Sequence, residues 1–337
     1  MNIRLLPRQL SFDCEISENL YEGASRAGIR IPISCKNGVC EYCEGVLRSG
    51  RCKDRYTGQE YAQPGQKILL CNVMPLTDCE VEMANVLDKG EWPLQSVVCQ
   101  IVSVSALNQD VFRVQLRLPA GKKIGFTAGQ YLSIDLPGRE PAFFSIASSP
   151  EALLAAGRER LIELHIQAAP EWESAWGVIS ALRENPSVKI SLPMGKSGIM
   201  APLSSPLILI AAGTGFAQMK GIVEHLIHHQ HAHPVHLYWG VRKASDLYWR
   251  DLALAWQQQY HWFNYAEVIG DVDDNAWPGH HEQLFRRVLQ DAHDLKGCQV
   301  IASGSPAMVY ATLDALVAEG LAPAGFHSDV LEYAPRA

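Results

Sequence analysis

The chain has 337 residues, of which 47% are hydrophobic, and a formal net charge of -7. That length allows two or three domains with buried cores, and the charge balance excludes a basic nucleic-acid binder: 11 Lys+Arg stand against 12 Asp+Glu up to Gly90 and 18 against 24 beyond it, with no block of like charge. No apolar run approaches the roughly eighteen residues that a membrane span needs.

The opening M-N-I-R-L-L-P-R-Q-L lacks a signal-peptide core, so a cytoplasmic location is expected. Residues 2–6 and 12–16 read as short strands. Ser17 is the predicted N-cap of a helix whose face carries Leu20, Ala24 and Ala27, with Gly28 as its stop. The stretch Ser34 to Cys43, S-C-K-N-G-V-C-E-Y-C, follows. Cys35, Cys40 and Cys43 stand at C-x4-C-x2-C spacing, and Cys71 lies downstream in K-I-L-L-C-N-V-M-P. One short loop thereby presents three sulfurs to a compact cluster while its N–H groups turn inward, and Gly38 suits the tight turn. Zinc-bound or unliganded thiols are the alternatives, although structural zinc prefers paired C-x2-C knuckles. The other five cysteines, Cys14, Cys52, Cys79, Cys99 and Cys298, read as buried free thiols in a reducing compartment.

Strand character resumes at Gly45 to Leu47 and at Cys79 to Met83, predicting a small sheet packed on one helix. This segment, with its cysteine spacing and the L-L-C-N-V-x-P element, resembles a plant-type ferredoxin. The resemblance implies a β-grasp domain over residues 1–90 with a [2Fe-2S] cluster on Cys35, Cys40, Cys43 and Cys71. Asp88 to Ser96, D-K-G-E-W-P-L-Q-S, is the predicted linker.

Alternating runs at Val97 to Val104, Val111 to Leu118 and Gln130 to Leu136 predict an antiparallel sheet closing into a barrel over residues 96–203. The segment P-A-F-F-S-I-A-S-S-P, Pro141 to Pro150, is similar to the Arg-x-Tyr/Phe-Ser segment of the ferredoxin-NADP reductase superfamily, most closely its NAD(P)H:flavin reductase branch. The resemblance implies bound FAD, or FMN, with Phe144 along the isoalloxazine and Ser145 at its N5 edge. Ala142 stands where that family has its phosphate-binding Arg, and Arg139 is the nearby candidate to replace it. A further strand is predicted at Leu161 to Gln167 and a helix at Glu173 to Glu184. The family's Gly pair is missing from Glu171 to Trp176, where Trp176 reads as a packing residue. The barrel ends near Val188 to Leu192, and P-M-G-K-S-G follows, whose Gly195 and Lys196 are candidates to border the flavin phosphates.

From Pro206 strands alternate with helices. Leu207 to Ala211, Val235 to Trp239, Trp262 to Val268 and Gln299 to Ala302 are the strands; Phe216 to His229, Asp246 to Gln258, Glu282 to Gln290 and Ala307 to Glu319 are the helices. The pattern predicts a doubly wound parallel sheet over residues 204–337, with its ligand crevice at the strand carboxyl ends. Gly213, Thr214 and Gly215 sit between strand and helix, where backbone approaches a nucleotide and the helix N-terminus favours phosphate. They resemble the family's G-G-T-G-x-x-P loop, with Ala212 and Gln218 as variants. Arg242 and Lys243 are either 2'-phosphate contacts or a solvated turn, which leaves NADH versus NADPH open. A-S-G-S-P-A-M is similar to the family's Cys-Gly-x-Pro-x-x-Met, placing Ser303 and Gly304 by the nicotinamide, with Ser145 and Ser303 as the residues nearest the chemistry. The tail F-H-S-D-V-L-E-Y-A resembles the segment that closes over the flavin: Leu331 takes the aromatic position and Tyr333 follows. With Ala142 and the missing Gly pair, this implies a loosely held flavin.

His225, His228, His229, His231, His233 and His236 crowd the exit of one helix. They read as a solvated terminus suited to the helix dipole, with a metal shared by His225 and His229 as the alternative, though no H-E-x-x-H acid accompanies them. The fold class expected is multidomain: α+β, β and α/β. The order ferredoxin, barrel, nucleotide domain resembles single-chain reductases of oxygenase systems and CDP-6-deoxy-glucoseen reductases. It implies electrons passing from NAD(P)H through flavin and cluster singly to an acceptor protein, an oxygenase or dehydrase component. A free-flavin reductase and a non-enzymatic electron-transfer module are the alternatives.

Overall fold

A computed structural model describes residues 1–153, 160–199, 203, 205–270, 281–291 and 293–336. The chain divides into two compact units, Met1–Pro93 and Leu94–Ala337.

In the first unit the strands are β1 (Asn2–Leu6), β2 (Leu10–Asp13), β3 (Glu44–Ser49), β4 (Cys52–Asp54), β5 (Glu60–Tyr61), β6 (Lys67–Leu69), β7 (Val73–Pro75) and β8 (Cys79–Glu82), with helix α1 (Leu20–Arg26). A sheet of order β2-β1-β8-β3-β6 packs on α1, and β5-β4-β7 forms a smaller one. β1 and β8 are parallel, so the chain's first strand is stitched to the last of its unit. Ile3, Leu5, Leu20, Ala24, Leu47 and Val81 are buried in a shared core. The helix cap is Asn19, not the predicted Ser17. Asn19 Oδ1 accepts from the Glu22 N–H at 2.8 Å and Glu22 Oε2 accepts from the Asn19 N–H at 3.0 Å, a reciprocal box that Ser17 cannot make. The second strand also starts earlier than predicted, because Leu5 pairs with Leu10 across a tight turn.

The second unit begins with β9 (Gln95–Ala106), β10 (Val111–Arg117), β11 (Tyr131–Asp135), β12 (Ala142–Ser145), β13 (Leu161–Gln167), α2 (Glu173–Glu184) and β14 (Ser187–Met194). Their sheet runs β12-β11-β14-β9-β10-β13. An antiparallel bridge from Ile146 to Leu164 brings the two outer strands together, so the sheet is a nearly closed barrel. Val114, Leu116, Leu132, Ile134, Ile162, Leu164 and Ile190 fill it, and Val178, Ile179 and Leu182 of α2 join that core.

Then come β15 (Leu207–Ala212), α3 (Phe216–His228), β16 (Val235–Val241), α4 (Arg250–Gln259), β17 (Phe263–Ile269), α5 (His281–Gln290), β18 (Gln299–Ser303), α6 (Pro306–Ala318), β19 (Phe326–His327) and α7 (Val330–Tyr333). The sheet is parallel, with order β17-β16-β15-β18-β19. Central β15 is buried on both faces: Leu207, Leu209 and Ala211 join one core, Ile208 and Ile210 the other. The predicted helix from Asp246 starts later. The Asp246 carboxylate accepts from the Lys243 N–H at 3.1 Å and closes a separate 3-10 turn, so α4 begins only at Arg250. Strand order reverses between β15 and β18, which opens a crevice at their carboxyl ends. No helix among the described residues is long and apolar enough to cross a membrane.

Candidate functional site

In the first unit, the loop between α1 and β3 turns through positive φ at Lys36, Gly38 and Glu41. Backbone N–H groups point at sulfur as a result. The Cys40 N–H donates to Cys35 Sγ at 3.3 Å, and the Cys35 N–H lies 3.5 Å from Cys40 Sγ. Cys35 is brought down to about 6, first by the Asn37 N–H and then by the Cys40 thiol and N–H. Cys71 follows β6, is buried, and is pushed up to about 12, first by burial and then by the Cys43 thiol beside it. The sulfurs thus fall into two pairs, Cys35 with Cys40 and Cys43 with Cys71. Among the described residues no three of these sulfurs gather within 4.8 Å of one another, so the quartet is spread wider than a single zinc ion requires. Gly38 has no alternative here: a Cβ would lie 2.1 Å from Asn72 Nδ2, at φ +79°. Two sulfur pairs and inward N–H donors fit a two-iron cluster.

Among the described residues of the second unit, one cavity lies against another and both are lined by Phe143, Phe144, Ser145, Ser303 and Gly304. The larger, about 500 Å³, lies at the switch point and is lined by Gly213, Thr214 and Gly215 after β15, Arg242 after β16, and Ser303 to Ser305 after β18. A Cβ on Gly215 would stand 2.3 Å from the Ser303 carbonyl oxygen, so glycine lets the two loops meet. Buried Trp239 donates its indole N–H to the Gly213 carbonyl at 2.9 Å, and its ring stacks on Phe216 at 3.9 Å. The glycine turn is therefore held from below by two aromatic planes. His165, also on the wall, contacts Glu163 Oε1 through Nε2 at 3.1 Å and the Tyr248 hydroxyl through Nδ1 at 3.1 Å. Burial lowers its pKa, which keeps it neutral near pH 7.

The smaller cavity, about 310 Å³, is lined by the rings of Tyr131, Phe143, Phe144 and Tyr333, with Ser145 and Asp329. Tyr131 and Phe143 meet edge to face at 6.1 Å. Asp329 Oδ2 accepts from Gln218 Nε2 at 3.0 Å, while Oδ1 is buried with no partner. Burial, then the charge of Glu332, raises Asp329 to about 7. A slot walled by aromatic rings and edged by the Asp329 carboxyl, the Gln218 amide and the hydroxyls of Ser145, Ser303 and Ser328 fits a flat heteroaromatic ring with a few polar edges, as flavin is.

Of the sequence-predicted residues, Phe144, Ser145, Gly213, Thr214, Gly215, Arg242, Ser303, Gly304 and Tyr333 line these cavities. Gly195, Lys196 and Leu331 are not among the lining residues. Gly195 backs Tyr131 and Asp329, where a Cβ would fall 2.8 Å and 2.6 Å from them. The Lys196 N–H donates to Glu332 Oε1 at 2.8 Å. Leu331, partly buried, packs against the core, because two residues along α7 turn the chain by about 200° and leave it opposite Tyr333. The Arg139 guanidinium lies against Gly177 in α2, whose added Cβ would meet Nη1 at 2.0 Å. The α2 N-terminus carries no side-chain cap. Trp176 packs edge-on to Phe112. Sequence reasoning passed over Tyr131, Phe143, His165 and Asp329. Of these, Phe143 within P-A-F-F-S and Asp329 within D-V-L-E-Y stood in segments already matched to the flavin site; Tyr131 and His165 did not.

Together the two sites define an electron-transferring oxidoreductase. Residues 3–76 match the 2Fe-2S iron-sulfur cluster binding domain and residues 209–314 the oxidoreductase NAD-binding domain. Protein RfbI of Salmonella typhimurium is 31% identical over 327 residues, 97% of this chain and 95% of that protein. The CDP-6-deoxy-L-threo-D-glycero-4-hexulose-3-dehydrase reductase of Yersinia pestis is 29% identical over 332 residues, 98% of each. The crystal structure of the Amycolatopsis cytochrome P450 reductase GcoB superposes with a TM-score of 0.63 at 25% identity, covering 98% of both chains. The chain belongs to the iron-sulfur flavoprotein reductases of the ferredoxin-NADP reductase superfamily, which carry electrons from NAD(P)H via flavin to a [2Fe-2S] cluster.

Proposed function

We propose that the chain is the reductase component of a two-protein system and delivers electrons singly to a dehydrase or oxygenase partner in the cytoplasm. The observation that carries this reading is the shared wall of the two cavities, which sets a nucleotide crevice against an aromatic slot in a chain that also bears the paired thiols. The relatives' own names, a dehydrase reductase and a P450 reductase, support a protein acceptor. The five cysteines outside the cluster set, Cys14, Cys52, Cys79, Cys99 and Cys298, are buried free thiols that suit a reducing compartment.

Flavin, when bound, supplies the exchange between a hydride pair and single electrons. The chain's own residues supply the setting. Gly213 to Gly215 seat the nicotinamide nucleotide by backbone approach, with Ser303 and Gly304 as the facing wall and Arg242 toward its far end. Phe143, Phe144, Tyr131 and Tyr333 exclude water from the flavin ring, and the Ser145 hydroxyl offers a hydrogen bond at its edge. Arg139, beside the uncapped N-terminus of α2, takes the phosphate role that Ala142 cannot. Asp329 is poised to hold or release a proton in the slot near neutral pH. Cys35, Cys40, Cys43 and Cys71 hold the cluster.

The test is Cys40→Ser. Cytochrome c reduction by NAD(P)H should fall to background while NAD(P)H-driven flavin reduction persists; equal loss of both would overturn the relay. The second reading, a free-flavin reductase, draws on Ala142 in place of an Arg. Gel filtration followed by an absorption spectrum decides it: flavin eluting away from the protein supports that reading.

A further inference from the structure

Glu151, His225 and His229 bring their ligand atoms within 4.8 Å of one another, the one such group of three among the described residues, and they line neither cavity. Glu151 is the second residue of the 3-10 turn Pro150–Leu153 that follows the barrel-closing residue Ile146. His225 and His229, four apart, sit on the last turn of α3 and its cap. Glu151 Oε1 lies 2.9 Å from His225 Nδ1 and 3.0 Å from His229 Nε2. As hydrogen bonds alone these contacts leave the group unfinished. Glu151 Oε2 and His225 Nε2 are sealed from solvent without a partner, and His225 is only 7% exposed. Buried polar atoms of this kind are rare and call for an explanation.

A metal ion held by Glu151 provides one for Oε2; His225 faces the carboxylate through Nδ1, so its Nε2 stays outside the shared shell. Ligand atoms about 2.0–2.1 Å from a tetrahedral zinc stand about 3.3 Å apart, close to the spacing found here, and a carboxylate with two imidazoles is a zinc-type donor set with room for water in the fourth position. The free Oε2 permits bidentate binding. We propose that Glu151, His225 and His229 bind a transition-metal dication of the zinc class. The ion pins the turn leaving the flavin strand of the barrel to the helix that carries the nucleotide loop. The two elements are already close at this seam: Lys220 Nζ of α3 donates to the Ala147 carbonyl at 3.1 Å, and a Cβ on Gly221 would meet the Ile146 carbonyl oxygen at 2.8 Å. The ion acts on the rigidity of the joint, outside the electron path.

The experiment titrates Zn²⁺ into the purified iron-sulfur flavoprotein by calorimetry and records the zinc K-edge absorption spectrum of the loaded protein. The expected result is one equivalent bound, a nitrogen/oxygen shell at about 2.0–2.1 Å with no sulfur shell near about 2.3 Å, and a higher melting temperature. His229→Ala, at a half-exposed position that tolerates truncation, and Glu151→Gln should each weaken binding by about tenfold or more and abolish the melting shift. His228→Ala, its exposed neighbour, should change neither, and Mg²⁺ should produce no shift. Sulfur in the zinc shell, absence of stoichiometric binding, or unchanged affinity in both ligand variants would overturn the proposal.

Discussion

Glu163→Gln tests the joint between barrel and nucleotide domain. Glu163 on β13 is 5% exposed; its Oε2 accepts from Arg113 Nε at 2.7 Å, while Oε1 lies 3.2 Å from Lys220 Nζ and 3.1 Å from His165 Nε2. Lys220, 4% exposed, also pairs with Glu224 at 2.7 Å, so two carboxylates balance two cations around a neutral imidazole. Burial alone pushes Glu163 upward, but the His165 hydrogen bond, Lys220 and Arg113 outweigh it and bring the carboxyl from 4.5 down to about 2. At 1.36 kcal/mol per pH unit that difference is worth about 3 kcal/mol, in line with the 3–5 kcal/mol typical of breaking a buried pair. Because the folded pKa is the lower one, this stability is complete above about pH 4.5 and is lost as pH falls toward 2. The glutamine variant should therefore be less stable by about 3 kcal/mol at pH 7, with the gap from wild type closing as acid is added. Urea unfolding followed by tryptophan fluorescence reads it, since Lys220 and Arg113 lie 5.0 Å and 5.5 Å from the Trp249 ring. A gap under about 1 kcal/mol at pH 7, or one that does not shrink in acid, would refute the reasoning.

Asp329→Asn should remove a pH dependence of opposite sign. The folded pKa of Asp329 is raised from 3.8 to about 7, so its contribution is complete below about pH 4 and disappears as pH rises through 7. The flavin-free variant should thus exceed wild type by up to about 4 kcal/mol at pH 8 and match it in acid, measured by urea midpoints at both pH values. Gly38→Ala should fail to hold the cluster, because its methyl would collide with the Asn72 amide; iron and acid-labile sulfide per chain should fall sharply while flavin content is unchanged.

What the sequence disclosed depended on how far apart the cooperating residues lie. The cysteine quartet was legible because three ligands must come from one short loop, which imposes a linear spacing. Gly213 to Gly215 were legible because strand, turn and helix are contiguous. The alternation of strands and helices from Pro206 predicted a doubly wound sheet, and its central β15 is covered on both faces. By contrast, Tyr131, Phe143 and Asp329 reach the slot from three separate segments and were not named beforehand, although Phe144 and Tyr333 beside them were. Glu151 stands 74 residues from His225, so the carboxylate that the histidine tract lacked nearby was supplied by the fold. The cap at Asn19 was missed because both Ser17 and Asn19 have capping side chains, and only the partner at Glu22 discriminates between them.

The wall common to the two cavities makes their occupants thermodynamic neighbours. Whatever enters the glycine-lined crevice touches the same Phe144, Ser145 and Ser303 that frame the aromatic slot, so each guest alters the environment that the other experiences. Linkage then requires the influence to be mutual: if a filled slot tightens nucleotide binding by some factor, nucleotide must tighten retention in the slot by that same factor. If that factor exceeds one, a chain with modest grip on its flavin at rest holds it hardest while nucleotide is bound.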